Sequence, residues 1–311
     1  MKIIIILLLS CLFNFIFSEE KEIFTHELQG TLPWTGENFD ESHDKFTFAI
    51  FSDLAGGERE GIFEVAVEQL NLLRPEFVIS VGDLIDDTQY KSNVEKRWES
   101  FNSRVKKINS PVFYVGGNND LSNEVMKETW KEKYGPTYYH FIYKNVLFLI
   151  MDTEDYQKGL NNPSSYSRES LISGDISDKQ KNYFLNVINK NKEVSWTFLF
   201  LHKPIWLKSN ELKFLEIEKA LKNKPYTLFN GHLHTYSYNQ RNNSDYIMLG
   251  TTGGRQWPKE ATSFDHLTLV TIDKDKPSIV NLKLEGILNK QGNIPKNGKE
   301  FCFNAFECSN N

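Results

Sequence analysis

The chain has 311 residues, with 36 Lys and Arg against 41 Asp and Glu, which gives a formal net charge of −5. Apolar residues make up 40% and charged residues 25%, a composition that excludes a disordered chain, a collagen, a coiled coil and a polytopic membrane protein. The mildly acidic balance also argues against a nucleic-acid binder, which needs a basic surface, so no nucleic-acid partner is expected.

The chain begins with a segment typical of export signals. Lys2 is followed by an apolar run over residues 3–17, and a small residue then precedes a polar stretch. This pattern predicts a signal peptide over residues 1–18, and so a secreted or extracytoplasmic protein with no stable membrane span after cleavage. An uncleaved membrane anchor and a lipoprotein-type cleavage site at Cys11 are the alternatives. Residues 19–44 are polar and are interpreted as an extended lead-in.

From residue 45 onward, short apolar runs alternate with stretches of helical spacing. Apolar runs bounded by turn residues predict buried strands, whereas apolar residues three or four apart predict helices. The predicted strands are 46–51, 77–81, 111–115, 138–143, 146–151, 196–201, 226–229, 246–249, 266–272 and 279–284, and the predicted helices are 62–73, 92–108, 123–133, 178–190 and 211–221.

This order of elements predicts one α/β domain over residues 45–288 with mixed sheets. The long polar loop 154–176 is either a lid or binding loop, or a surface insertion. Residues 289–311 form a C-terminal tail that holds Cys302 and Cys308. Two cysteines so close in an exported chain predict one small disulfide, with two free thiols as the alternative.

Polar residues collect where predicted strands end. A single Asp or His at such a position usually caps a loop, but six such positions in order along one chain point to a shared site. The carboxyl ends of strands in α/β sheets are where ligands bind, and carboxylate, amide and imidazole donors together suit divalent cations. The candidate metal ligands are Asp53, Asp83, Asn118, His202, His232 and His234.

These blocks resemble the calcineurin-like metallophosphoesterase superfamily, whose pattern is Asp-x-His, Gly-Asp, Gly-Asn-His-(Asp/Glu), His and Gly-His-x-His. The resemblance covers about residues 45–285 and implies a four-layer α/β/β/α sandwich with two mixed sheets. It also implies two divalent metal ions (Mn, Mg, Fe or Zn) and attack on phosphorus by metal-activated hydroxide. The first ion would be held by Asp53, Asp83 and His234, and the second by Asp83, Asn118, His202 and His232.

Two positions depart from the family pattern. Ala55 replaces the His of Asp-x-His, so the first metal loses an imidazole and is expected to bind more weakly. Asn119 replaces the His that faces the leaving group, while Asp120 after it is kept; both are candidate catalytic residues. An amide can donate a hydrogen bond but cannot protonate a leaving group, and loss of a general acid costs about 10²–10⁴-fold in rate. Esters with good leaving groups should suffer least.

Three further residues are candidates beside this set. Lys203 either holds a substrate phosphate or is solvated, and Arg255 is a weaker candidate for binding substrate. Arg255 or His266 could also replace the missing acid; otherwise they are an ordinary surface Arg and a strand His.

The predicted function is an exported metal-dependent phosphoesterase, slow or selective for good leaving groups. Its substrate would be a phosphorylated small molecule or a phosphoprotein. One alternative is a pseudoenzyme that binds a phosphorylated ligand or partner without turnover. The other is a structural secreted protein without metal.

Overall fold

A computed structural model describes residues 45–155, 172–208, 211–274 and 276–309. The predicted signal peptide, the lead-in and the middle of the loop 154–176 lie outside the described residues. Within the described part of the chain, no helix is both long and apolar enough to cross a membrane.

The first sheet brings the two ends of the domain together. Its order is β11-β10-β1-β2-β3, in which β1, β2 and β3 are parallel and β10 and β11 are antiparallel to their neighbours. Both faces of β1 and β2 are covered, which explains their continuous apolar sequences. The strands are β1 (Phe46–Phe51), β2 (Phe77–Ser80), β3 (Val112–Phe113), β10 (His266–Asp273) and β11 (Lys276–Lys283).

The second sheet has six strands in the order β4-β5-β6-β7-β9-β8. Strand β8 was not predicted, because its sequence Ser-Tyr-Asn-Gln-Arg is polar and it lies at the edge of the sheet. The turn between β8 and β9 holds Asn242 and Asn243 at φ values of 53° and 60°, a conformation that Asn tolerates. The strands are β4 (Tyr139–Tyr143), β5 (Val146–Ile150), β6 (Trp196–Phe200), β7 (Tyr226–Asn230), β8 (Ser237–Arg241) and β9 (Ser244–Met248).

Helices cover the outer faces of both sheets, and the predicted four-layer α/β/β/α sandwich is confirmed. Between the sheets lies a layer of phenylalanine rings, in which the Phe48 centroid is 5.3 Å from that of Phe148 and 5.2 Å from that of Phe198. The first sheet packs on α1 (Ile62–Leu73), α2 (Lys91–Val105) and α3 (Glu124–Tyr134), and the second on α4 (Asp178–Lys190) and α5 (Leu212–Ala220).

The residues after 288 pack against the domain and end in a short helix, α6 (Ala305–Cys308). A disulfide joins Cys302 to Cys308. Phe303 is only 4% exposed and belongs to the same apolar cluster as α1. Its carbonyl accepts a hydrogen bond from the backbone N–H of Asp265 at 2.8 Å. The tail is therefore bonded to the loop that precedes β10.

Candidate metal centre

The carboxyl ends of β1, β2, β6 and β7 meet at one edge of the sandwich and bring the predicted ligands together. Two groups of donor atoms lie there, each with all atoms within 4.8 Å of one another. Asp83 belongs to both groups, so its carboxylate lies between two possible cation positions. The groups are Asp83 with His202 and His232, and Asp53 with Asp83 and His234.

Asn118, which follows β3, completes the set. Its Oδ1 lies 3.0 Å from Nε2 of His202. All six predicted ligands are therefore at the same edge. They follow strands of both sheets, so the relative position of the two sheets fixes their spacing.

The backbone at the ligands is held in an unusual conformation. Asp83, His232 and His234 have φ values of 54°, 78° and 57°, a region that costs a non-glycine residue about 1–3 kcal/mol. The neighbouring glycines leave no room for a side chain: a Cβ on Gly117 would lie 2.2 Å from the backbone N of Asp83, and one on Gly231 would lie 2.2 Å from Oδ2 of Asp53. The sheets thus hold strained turns so that the side chains converge.

Backbone carbonyls orient two of the imidazoles. Nδ1 of His202 donates to the carbonyl of Val81 at 2.9 Å, and Nδ1 of His234 donates to the carbonyl of Arg255. Each Nε2 therefore faces a carboxylate, at 3.2 Å from Oδ1 of Asp83 for His202 and 3.5 Å from Oδ1 of Asp53 for His234. This arrangement is the one that fixes the tautomer of metal-binding histidines.

Asp53 is oriented in the same way. Its Oδ2 accepts from the Ser52 hydroxyl, and its Oδ1 accepts from the backbone N–H of His232 at 2.9 Å. The side chain of Asp53 is fully buried. The role of Ser52 was not predicted from the sequence, although a hydroxyl residue directly before a candidate ligand is a visible signal.

The charges of the cluster depend on one another. Burial opposes the charged form of His202, but the neighbouring Asp83 carboxylate raises the pKa of its imidazole to about 9. Burial also opposes charge on Asp83, yet His202 and His232 hold the pKa of its carboxyl well below the ordinary value. A buried carboxylate here is stabilised by a nearby positive charge, which a bound cation provides as an imidazolium does. The oxygen and nitrogen donors fit Mn²⁺, Mg²⁺, Fe²⁺ or Zn²⁺.

Asn119 lies at the centre beside Asp83. Its Nδ2 donates to Oδ2 of Asp83 at 2.7 Å, and its backbone N–H donates to Oδ1 of the same carboxylate at 2.8 Å. The side chain thus lies against the carboxylate shared by the two ligand groups. In this position it can donate a hydrogen bond to a bound group, but it has no proton to transfer.

Asp120, the other candidate catalytic residue, lies behind the ligands. Its carboxylate is fully buried and accepts hydrogen bonds from the backbone N–H groups of Leu84, Ile85 and Gly117 at 2.9, 3.1 and 2.8 Å. Asp120 therefore joins the loop after β2 to the loop after β3, behind the ligands that these loops carry. All of these bonds go to protein backbone, which is the pattern of a residue that positions loops.

Two other candidates are buried. Lys203 is only 6% exposed, and its Nζ lies 2.6 Å from Oε1 of the fully buried Glu154, so it serves an internal ion pair in this structure. His266 is 1% exposed, and its Nε2 accepts from the backbone N–H of Gly250 at 3.0 Å, so its ring is bonded within the core.

At Ala55, the observed contacts are made by the backbone. The N–H groups of Leu54 and Ala55 both donate to the carbonyl of Asp83, at 2.9 and 2.8 Å. The next residue, Gly56, borders the space between His234 and Asn119, which is the cleft of this centre, since a Cβ there would lie 3.3 Å from Cε1 of His234 and 3.9 Å from Nδ2 of Asn119. The first ligand group therefore has one imidazole, and glycine keeps the space beside it open.

The chain is similar in sequence to a known phosphatase. The human serine/threonine-protein phosphatase CPPED1 is 24% identical over 209 residues, which is 61% of this chain and 64% of that protein. The match thus spans less than two thirds of that relative's length.

Solved structures share the fold. A dimetal phosphatase from Danio rerio matches with a TM-score of 0.58 and 16% identity, covering 76% of this chain and 96% of that one. The purple acid phosphatase PPD1 from yellow lupin seeds matches with a TM-score of 0.54 and 14% identity, covering 77% of this chain and 51% of that one. The sequence pattern of the calcineurin-like phosphoesterase family matches residues 46–236, and the chain belongs to that family.

Proposed function

We propose that the protein is an exported, metal-dependent phosphoesterase that acts on phosphate esters with good leaving groups. The observation that carries this proposal is the position of Asp83 between two groups of donor atoms. A carboxylate shared in this way can bind two cations at once. Divalent cations in such a pair neutralise a phosphate group and activate water.

Side chains of this protein would hold and orient the two cations. Asp53 and Asp83 would hold the two cations with the imidazoles of His202, His232 and His234. Hydrogen bonds from backbone and hydroxyl groups keep these donors in place before any substrate arrives, so little reorganisation is needed.

Asn119 sets the expected preference for leaving groups. The amide donates a hydrogen bond to the leaving oxygen, which must then depart without receiving a proton from this side chain. Esters of acidic alcohols tolerate that best, whereas esters of ordinary alcohols lose about 10²–10⁴-fold in rate. A phosphorylated small molecule with an acidic leaving group fits this selectivity, and so does a phosphoprotein whose ester is phosphotyrosine, because its leaving group is a phenol.

Two features support the other parts of the proposal. The apolar N-terminal segment and the Cys302–Cys308 disulfide favour an oxidising, extracytoplasmic compartment. The missing imidazole at Ala55 favours weaker binding of the first cation, which Mn²⁺ or Mg²⁺ tolerates better than Zn²⁺ because both accept water as a ligand.

The test uses the chain from Glu19, assayed with Mn²⁺ on an aryl phosphomonoester and an aryl phosphodiester. We expect metal-dependent turnover that Asp83→Asn abolishes and that Asn119→His increases. Asp87→Asn is the matched control, because this neighbouring carboxylate is exposed. Turnover that survives in Asp83→Asn would contradict the proposed centre. Binding of phosphate esters without turnover, with activity gained only in Asn119→His, would support the pseudoenzyme alternative.

A further inference from the structure

One side of the cleft carries two exposed side chains that the proposed chemistry does not use. Arg255 and Trp257 follow the turn at Gly254, whose backbone N–H donates to the carbonyl of Asp53 at 3.0 Å. The carbonyl of Arg255 accepts from Nδ1 of His234. The segment that bears these two side chains is therefore bonded directly to two candidate ligands.

Arg255 presents a charge beside the cleft. A Cβ on Gly57 would lie 3.1 Å from its Nε and 3.3 Å from its Nη2, so the guanidinium lies against Gly57. Among the described residues it forms no hydrogen bond and no ion pair, and the side chain is exposed. A free guanidinium can bind two phosphate oxygens at once.

Trp257 presents a fixed aromatic face. The residue is 46% exposed, yet its Nε1 donates to the carbonyl of Leu233 at 3.1 Å. Its backbone N–H donates to Oγ of Ser263 at 3.0 Å, and that hydroxyl donates to the carbonyl of His234 at 2.9 Å. Leu233 lies between the ligands His232 and His234, so the indole is held against the ligand loop. Within the described part of the chain, no other ring lies against it.

We propose that Arg255 and Trp257 form the leaving-group side of the substrate site and select aryl phosphates. The guanidinium would bind the phosphate, and the indole would stack on the aromatic ring of the leaving group. An aryl oxygen also departs readily without a proton, which agrees with the amide at Asn119. This inference rests on the proposed phosphoesterase function and names its substrate class.

The experiment compares two substrates whose leaving groups are similar in acidity, one with an aromatic ring and one without. Phenyl phosphate carries a ring, whereas hexafluoroisopropyl phosphate has an alcohol of similar acidity and no ring. For Trp257→Ala we expect kcat/KM to fall at least about 5-fold for phenyl phosphate and to change little for the alkyl ester. Trp257→Phe keeps a ring and should retain the preference. Arg255→Gln should lower kcat/KM for both esters alike.

A binding measurement separates this inference from the proposed function. Calorimetry of the Mn²⁺-loaded protein compares phenylphosphonate with methylphosphonate, which are not hydrolysed. Tighter binding of phenylphosphonate that Trp257→Ala removes would support the inference even if no substrate turned over. Equal losses for both esters in Trp257→Ala would overturn it and would assign Trp257 to support of the ligand loop. Equal binding of both phosphonates by the wild type would also overturn it.

Discussion

Replacement of Asp120 tests whether this carboxylate positions the loops or takes part in catalysis. Its two oxygens accept hydrogen bonds from the backbone N–H groups of Leu84, Ile85 and Gly117, and the side chain is fully buried. In Asp120→Ala, three buried donors lose their acceptor, and each lost bond costs about 1–3 kcal/mol. Water entering the space would recover part of that, so we expect the free energy of unfolding to fall by about 3–5 kcal/mol.

Asp120→Asn should have an intermediate effect. The amide oxygen can still accept from Leu84 and Ile85, but the amide nitrogen then faces the N–H of Gly117. One bond is lost, so we expect a decrease of about 1–3 kcal/mol.

Urea unfolding in the presence of a chelator measures both changes without any contribution from bound metal. Asp87→Ala, which removes an exposed carboxylate nearby, should stay within about 0.5 kcal/mol of the wild type. If Asp120→Ala kept the stability of the wild type and lost turnover alone, Asp120 would be catalytic and the positioning role would be refuted.

Two more buried groups give measurable expectations. Burial lowers the pKa of His266 to about 4, below its ordinary value of about 6.5. Because the unfolded chain binds this proton first, acidification from pH 7 to pH 5 should destabilise the wild type by about 2 kcal/mol through His266. His266→Gln should remove that part of the difference between urea unfolding curves at the two pH values. Lys203→Met removes the cation facing the buried Glu154 and should lower the free energy of unfolding by about 3–5 kcal/mol. The double variant with Glu154→Gln should regain much of the lost stability. A rise in KM without a matching loss of stability in Lys203→Met would instead assign Lys203 to substrate binding.

Much of the fold follows from local sequence. Helix α1 was predicted with its observed bounds, because its apolar spacing is regular and the Arg-Pro pair after it stops the helix. Strand β8 was missed because a polar edge strand is held mainly by its backbone pairing with β9. No pattern of side chains marks such a strand in the sequence.

The sequence likewise indicates only part of the candidate site. The convergence of the six candidate ligands could be predicted because each of them comes shortly after an apolar run that forms a strand. Their neighbours could not, because successive residues after a strand point in different directions. His202 faces Asp83, but Lys203 faces Glu154. Asn119 likewise faces Asp83, whereas the residue after it turns to the backbone of another loop. These directions depend on loops distant in sequence.

The C-terminal tail affects the order in which the cleft can be completed during synthesis. Arg59 donates to the carbonyl of Cys302 at 2.7 Å, and Gln256 donates to the carbonyl of Phe303 at 2.9 Å. Domains begin to fold as the chain emerges, so both sheets can form before these acceptors exist. Gln256, beside Arg255, bonds to Phe303 and Ala305, so these bonds to the loop form only after residues 302–305 have been synthesised. A nascent chain stalled before that point would have its ligand-bearing strands paired while one wall of the cleft was still unfinished.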